Sequence, residues 1–364
     1  MSNTEKNKRM LFIGSPPPPY HGQAVITGIV FDTNFSNIDP KFYEARFSEE
    51  LSSVGGFSLK KISVLVRTWW IMLRFALGQR DPELYYCAGS ANTVPFLRDV
   101  ILLGTVGRLF KKRYIHYHSG GLPAWLEEKA WRRVLGSWCY DKDSISIACS
   151  RFVEVPVGNG DVQELPNGLE VPALANEKES DGKLKFLYVG ALRETKGLKV
   201  LLDAAQKIAG KNFEVSVVGE WISDEEKTIC LSGVNDEFLE QYVKFRGRLT
   251  GDDKWSAFSD ADVFVFPTFY ESENMPLVVI EGLGSGLPVI STNWRSIPRL
   301  VQKGETGFLV DPEDVDSLAE KMEWCIEHPQ KLESMRDKAR EAYEQNYSVD
   351  AFQSNLRAIL GDVN

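Results

Sequence analysis

A chain of 364 residues, 43% hydrophobic and 26% charged, is long enough for two ordinary globular domains. It gives no membrane span to expect: no apolar run approaches the roughly 18–20 residues needed, and MSNTEKNKRMLFIG lacks the apolar core of a secretory leader. The net charge is −9, and the five cysteines (Cys87, Cys139, Cys149, Cys230, Cys325) form no CxxC pair or Cys/His cluster, which argues against a disulfide framework or zinc site and for a reducing cytoplasm.

Met10–Gly14 reads as the first strand. The loop Ser15–Gly22 follows, then a helix over Gln23–Phe31. Lys60–Arg80 reads as a long amphipathic helix, with Lys60, Arg67 and Arg74 on one side at 100° per residue. Glu83–Cys87 is a strand, Phe96–Phe110 a helix, Arg113–His118 a strand, Trp125–Gly136 a helix and Ser144–Cys149 a strand. Strands alternating with helices predict a parallel, doubly wound sheet. Pro166-Asn167-Gly168 is a turn signal, and with the polar loop Pro172–Gly182 it suits a domain boundary. A second sheet starts at Lys183–Val189, and helices are expected over Val315–Ile326, Lys331–Tyr347 and Val349–Leu360.

Charge divides unevenly. Residues 1–170 carry 20 basic and 17 acidic residues, leaving 22 and 34 for the remainder. The basic excess concentrates between Lys60 and Arg133, with 13 positive against 5 negative residues. Basic residues beside Trp and Leu are what interfacial helices present to lipid headgroups, and Lys111-Lys112-Arg113 and Arg132-Arg133 would add attraction. The competing expectation is a largely buried helix with one solvated basic stripe. Two further candidates lie nearby. The loop SPPPPYHGQ follows the first strand, where Gly22 permits close backbone approach; it is a ligand-contacting loop or a rigid proline loop. His118 ends a strand before Ser119-Gly120-Gly121, placed either to touch a ligand or to serve structurally.

The second half is more specific. Ala261–Pro267 reads as a strand, Leu277–Leu283 as a helix with Pro276 at its first position, and Val289–Ser291 as the next strand. The helix start at Asn274, Met275, Pro276 and Leu277 offers N–H groups and a positive dipole end to a phosphate. Glu281 follows about five residues on, roughly 7–8 Å along the axis, near the span from a diphosphate to its ribose. A carboxylate there can accept from two ribose hydroxyls, while Glu273 could face a sugar beyond the diphosphate. The alternative is two ordinary helix acids. Arg193 and Lys196 lie at another strand-to-helix crossover, after strand Phe186–Val189. Val215–Gly219 and Val243–Arg248 are short apolar strands that reach glycines, Gly219 and Gly247, with Arg246 beside the latter. There is no GxGxxG after the first strand, so a dinucleotide fingerprint is absent.

The order VGALRETKG, VSVVGE, VKFRGR, ADVFVFPTFYESENMPLVVIEGLGSGLPVIS and GETGFLV resembles the nucleotide-sugar half of glycosyltransferase family 4, across about Lys183–Val310. A weaker likeness extends through MLFIGSPPPPYHGQA, YIHYHSGG, SISIACSRF and ELPNGLEVP. The resemblance implies a GT-B fold, α/β, with two Rossmann-like doubly wound domains facing a cleft. The domains would be 1–170 with a crossing C-terminal helix in 348–364, and 171–347. It implies a retaining transferase that moves a sugar from a nucleotide-diphosphate donor, a UDP-sugar first, to a glycan or polyprenyl-linked acceptor in surface polysaccharide synthesis. Glu273 would contact the donor sugar, Glu281 the ribose and Lys196 the diphosphate, with His118 near the sugar. His118, Lys196 and Glu273 are the catalytic candidates. Gly22, Arg193, Lys196, Gly219, Arg246, Gly247, Asn274, Met275, Pro276, Leu277 and Glu281 are the donor-binding ones. Neither a metal, another cofactor nor nucleic acid is expected, and the setting would be the cytoplasm or the inner face of the plasma membrane. Two departures from the family pattern stand out. Ala191 occupies the place of a frequent Arg, with Arg193 nearby, and Arg299 follows Ile297-Pro298 where an acid is common. An epimerase of the same fold, or a nucleotide-binding scaffold, remain alternatives.

Overall fold

The computed structural model describes residues 8–47, 59–89, 91–118, 120–141, 143–151, 153–156, 162–174 and 182–362. Ser119, Phe152, the side chain of Lys60 and residues 175–181 of the expected linker lie outside the described residues. The chain divides into two units. One holds the residues up to Gly168 and those from Val349 onward; the other is Leu169–Ser348.

The first unit runs β1 (Lys8–Gly14), α1 (Gly22–Phe31), β2 (Ile38–Glu44), α2 (Leu59–Leu77), β3 (Glu83–Cys87), α3 (Thr93–Gly104), β4 (Lys112–Tyr117), α4 (Leu122–Glu127), α5 (Ala130–Cys139), β5 (Ser144–Ala148) and β6 (Val162–Glu164). All six strands are parallel, in the order β2-β1-β3-β4-β5-β6. The central strands are buried almost throughout, as a sheet covered on both faces requires. The two strands that periodicity does not single out, β2 and β6, are the edges. β2 contains Pro40, which an edge tolerates, and β6 is only three residues long.

Two helices and one strand differ from expectation. The helix expected over Phe96–Phe110 stops at Gly104, which packs under the Trp138 ring; a 3-10 turn, Val106–Leu109, follows. The helix expected over Trp125–Gly136 is two, because Lys129 takes an extended backbone (φ −138°, ψ 129°) and restarts the chain as α5. The strand before His118 ends one residue earlier, at Tyr117. Buried Asp99 ties these parts together. It accepts hydrogen bonds from the Tyr86 and Tyr140 hydroxyls (2.6 and 2.7 Å) and the Gly89 N–H (2.6 Å), and pairs with Arg98 at 2.8 Å.

The second unit runs β7 (Leu184–Val189), α6 (Leu198–Lys207), β8 (Phe213–Val218), α7 (Asp224–Leu231), α8 (Asp236–Tyr242), β9 (Val243–Gly247), α9 (Gly251–Asp260), β10 (Val263–Phe266), α10 (Leu277–Gly284), β11 (Val289–Thr292), α11 (Ile297–Leu300), β12 (Gly307–Val310), α12 (Val315–Glu327) and α13 (Pro329–Asn346). Its strands are also parallel, in the order β12-β11-β10-β7-β8-β9. The strand order reverses between β7 and β10 here, and between β1 and β3 in the first unit. Ligands of such sheets bind outside the carboxyl ends of the strands at that reversal.

The second unit's entry and exit meet: the Leu169 N–H donates to the Tyr347 carbonyl (3.0 Å), and the Tyr343 hydroxyl donates to the Leu169 carbonyl (2.8 Å). Helix α14 (Val349–Leu360) then rejoins the first unit. Lys8 Nζ donates to the Leu360 carbonyl (3.0 Å), and Asp362 accepts from the Ser36 and Asn37 N–H groups (2.9 and 2.5 Å). Among the described residues no helix is long and apolar enough to cross a membrane.

Candidate functional site

In the second unit, the loops after β7 and β10 are stitched at the reversal point. The Phe269 N–H donates to the Thr195 carbonyl (2.9 Å), and the Thr268 hydroxyl donates to the same carbonyl (3.3 Å). Before α6 the crossover makes a 3-10 turn, Glu194–Lys196, and Gly197 with φ +83° stands just ahead of the helix. A side chain at Gly197 would strike the Pro267 carbonyl, so glycine is what lets the two loops close.

Closure brings Lys196 Nζ to 2.5 Å from Glu273 Oε2, with the side chains 19% and 11% exposed. The Tyr270 ring lies beside both cations of this turn: Lys196 Nζ is 4.6 Å and the Arg193 guanidinium 5.0 Å from its centroid. Glu226 on α7 braces the turn by accepting the Glu194 N–H (2.7 Å), while its other oxygen sits 3.6 Å from Arg193 Nε. That Nε is buried and makes no hydrogen bond; neither does the buried Thr195 hydroxyl.

Across the loop, α10 begins at Leu277. Pro276 stands just outside it with extended backbone (ψ 122°), one position earlier than expected. No side chain caps the helix, and its first turn holds no acid. Asn274 and Met275 are buried, and Asn274 Oδ1 accepts from the Ser296 hydroxyl (3.2 Å). One turn into α10, Glu281 is 9% exposed; its Oε1 is 2.6 Å from Lys254 Nζ, while its Oε2 is buried without a partner. Burial raises the Glu281 carboxyl above the usual carboxylate range, and the Lys254 ammonium opposes the rise.

Three buried polar atoms are thus unsatisfied around one pair of loops: Arg193 Nε, Thr195 Oγ1 and Glu281 Oε2. Each costs about 1–3 kcal/mol while unpaired. Two can donate and the third accepts, which matches a ligand with an anionic part and a hydroxyl-bearing part. Nearby strand ends complete the frame. The Gly219 N–H donates to the Gly247 carbonyl (2.9 Å), and a side chain at Gly219 would meet the Gly190 carbonyl. Gly247 ends β9 with φ +68° and open space beside it. Arg246 is exposed and pairs with Asp260 at 3.7 Å, an assignment separate from the Lys196–Glu273 pair.

The first unit gathers different groups. His116 is buried, with Nδ1 2.5 Å from the Tyr85 hydroxyl, and its ring lies 4.0 Å from that of His118. Burial drives His116 well below the usual histidine range, and the His118 charge adds to this. His118 is pushed down to about 3, by burial first and the nearby His21 second. It therefore stays neutral at physiological pH and can exchange hydrogen bonds with a hydroxyl, but has no proton affinity near 7 for acid–base work. Gly22 is the first residue of α1, and His21 caps it by accepting the Ala24 N–H (3.3 Å).

Sequence reasoning missed Lys254, Tyr270, Glu226, Thr195 and His21. Tyr270 and Thr195 sit inside quoted motifs, and His21 inside the proline loop. Lys254 meets Glu281 from 27 positions away, which no local pattern marks.

On the basic region, the structure separates the charges. Arg113 is buried and bidentate to Asp141 (2.9 and 2.6 Å); Arg132 is buried, lies 3.7 Å from the Trp125 ring centroid and pairs with Glu128. Neither is open to a membrane, because each fills an internal acid or aromatic partner. Helix α2 turns Thr68, Met72 and Ala76 into the core and exposes Val66, Arg67, Trp70, Arg74 and Leu77.

Residues 173–342 match the family described as glycosyl transferases group 1. D-rhamnosyltransferase WbpZ of Pseudomonas aeruginosa is 31% identical over 252 residues, 66% of this chain; the chain spans 64% of that relative's length. Among solved structures, the lipopolysaccharide outer core galactosyltransferase WaaB aligns with a TM-score of 0.70 at 17% identity, covering 98% of this chain and all of that one. Anabaena Alr3699/HepE in complex with UDP aligns with a TM-score of 0.68 at 16% identity, with coverage of 98% and 100%. The likeness establishes the fold as GT-B, with two Rossmann-like units.

Proposed function

We propose that this protein, whose residues 173–342 match the group 1 glycosyl transferases, moves a sugar from a nucleoside diphosphate donor to an acceptor hydroxyl, as a retaining transferase of family 4. The observation that carries the reading is the set of unsatisfied buried atoms, Arg193 Nε, Thr195 Oγ1 and Glu281 Oε2, at the reversal of the second sheet. Arg193 and Thr195 take diphosphate oxygens together with Lys196 and the backbone at Asn274, Met275, Pro276 and Leu277, which opens α10. Arg193 thereby serves where the family has Arg and this chain has Ala191. Glu281 accepts the ribose hydroxyls. Glu273 meets the transferring sugar, and Gly219, Gly247 and Arg246 line the base.

Negative charge develops on the diphosphate as the glycosidic bond breaks. Fixed cations and aligned N–H dipoles stabilise that charge more than they stabilise the bound donor. Lys196 already sits against Glu273, so donor binding exchanges a carboxylate for phosphate oxygens at Nζ and leaves Glu273 available to sugar hydroxyls. Lys196, Arg193 and the α10 start supply the positive charge, so the reading needs no metal. A UDP-sugar donor is supported by the UDP in the HepE structure, and a surface-glycan acceptor by the lipopolysaccharide outer core in the name of WaaB.

The test is incubation with a panel of nucleotide sugars, with and without a polyprenyl-linked oligosaccharide. Release of nucleoside diphosphate that rises with acceptor, and a product of retained anomeric configuration by NMR, is the expected result. An epimerised sugar, or tight nucleotide binding with no turnover on any donor, would replace this reading with an epimerase or a scaffold.

The exposed faces of α2, α3 and α5 favour a peripheral membrane contact at the cytoplasmic face. Trp70 (54% exposed) and Leu77 (73%) on α2, Ile101 on α3 and Trp131, Val134 and Trp138 on α5 are open, beside Arg67, Arg74, Arg108 and Arg133. The Trp69 indole donates to the Thr105 hydroxyl (2.9 Å) and Arg108 to the Trp138 carbonyl (3.2 Å), which joins these elements into one surface. Flotation with anionic and neutral vesicles checks it: binding to anionic vesicles that Trp70→Glu abolishes is expected, and no binding to either rejects the contact.

A further inference from the structure

Glu281 has one oxygen held and one left open. Oε1 lies 2.6 Å from Lys254 Nζ, and Oε2 is buried with no partner. Lys254 is itself constrained: it projects from the first turn of α9, 23% exposed, with Nζ 4.8 Å from the Trp255 ring centroid and 6.0 Å from that of Phe258. The two rings limit where the ammonium can stand, and its 2.6 Å contact ties one oxygen of the Glu281 carboxylate to that place.

We infer that Lys254 is a positioning residue for the donor: it fixes the Glu281 carboxylate so that Oε2 is presented to the ribose diol. The inference rests on reading Glu281 as the ribose acceptor. Lys254 has two separable effects. It pins one oxygen, which sets the direction of the other. It also keeps a carboxylate ionised in a place where burial favours the protonated form. A protonated Glu281 would carry a hydroxyl donor where two acceptors are needed.

The other charged and titratable groups packed around α10 are engaged elsewhere. Arg340 of α13 donates to the Gly284 carbonyl at the far end of α10, and Tyr343 packs on Gly284. Glu273 pairs with Lys196. β10 (VFVF) and β11 (VIST) hold no titratable group. Lys254 is the charge that bears on Glu281.

The experiment is calorimetric titration of UDP and 2′-deoxy-UDP into the full chain, for wild type, Lys254→Met, Lys254→Arg and Lys254→Gln, between about pH 6 and 9. Wild type should bind UDP with an affinity flat across that range and prefer it to the deoxy analogue by about tenfold, the effect of one hydrogen bond to a charged group. Lys254→Met should weaken UDP by about tenfold near neutral pH, lose the ribose preference, and recover affinity as pH rises and Glu281 ionises. Lys254→Arg, which keeps the charge, should stay close to wild type. In a Glu281→Gln background, Lys254→Met should add nothing. Lys254→Gln gives the same comparison if Lys254→Met does not fold. A pH-independent loss, an additive loss in the Glu281→Gln background, or an unchanged ribose preference overturns the inference. Wild type that binds no nucleoside diphosphate would instead sink the transferase reading, a visibly different result.

Discussion

The two sheets share a plan and differ in what stands at their strand ends. Both have six parallel strands. At the second sheet's reversal, cations and carboxylates crowd together: Lys196 with Glu273, Arg193 over Tyr270, Lys254 with Glu281. In the first sheet the Arg98–Asp99 pair is closed on itself by the Tyr86 and Tyr140 hydroxyls, and the remaining groups, His21, His116, His118 and Tyr85, are kept uncharged by burial. One architecture thus supports a charged end and a neutral one, because the loops decide the chemistry and the sheet only positions it. The charged end suits a diphosphate. The neutral end suits hydroxyl groups, which a fixed charge would not discriminate.

If that contrast is functional, removing charge should damage one end far more than the other. Lys196→Ala should lower turnover by about 100- to 1,000-fold, the scale for one lost transition-state donor, read as nucleoside diphosphate release per enzyme. It also leaves Glu273 without its partner, so far-UV circular dichroism must confirm folding. Wild-type turnover would break the comparison. A smaller loss is expected from Glu281→Gln: donor affinity about 10- to 100-fold weaker by titration, with kcat at saturating donor changed less, because the ribose is held equally before and during reaction.

The smallest effect belongs to the neutral end and appears as stability. The folded pKa of His118 is depressed to about 3, so the unfolded chain binds a proton that the folded chain refuses between about pH 6.5 and 3. Stability from this residue is present at neutral pH and declines as pH falls through that window, with a slope of at most about 1.4 kcal/mol per pH unit. His118→Gln should flatten the fall in denaturation midpoint between about pH 7 and 5. An identical slope in the variant would show that His118 is not held neutral.

Much of this was legible in the sequence. Motif order placed Lys196, Glu273 and Glu281 after β7 and β10, whose apolar runs, ended by Gly190 and Pro267, are local signals. The strand–helix alternation gave both sheets, apart from β2 and β6. These are edges that bury one side and so lack the apolar continuity of central strands. What stayed hidden depends on contact. Lys254 lies in a polar stretch, GDDKW, that reads as solvent-facing until α9 sets it against Glu281. The Lys196–Glu273 pair joins residues 77 positions apart, so neither side chain could be given its partner beforehand. Arg113 and Arg132 failed the other way: each sits in a basic cluster in sequence, yet Arg113 is buried on Asp141 and Arg132 is buried under the Trp125 ring.

The doorway at Leu169 and Tyr347 has a practical meaning. A segment of chain whose two ends hydrogen-bond to each other is a cassette: it can be lifted out, or stitched into another host, without stretching either end. Leu169–Ser348 should therefore express as an autonomous nucleotide binder, and its counterpart could be rejoined through a short glycine linker from Gly168 to Val349. During synthesis the same arrangement means that the cassette is complete before α14 emerges, so it can fold while the surrounding unit still waits for its last helix.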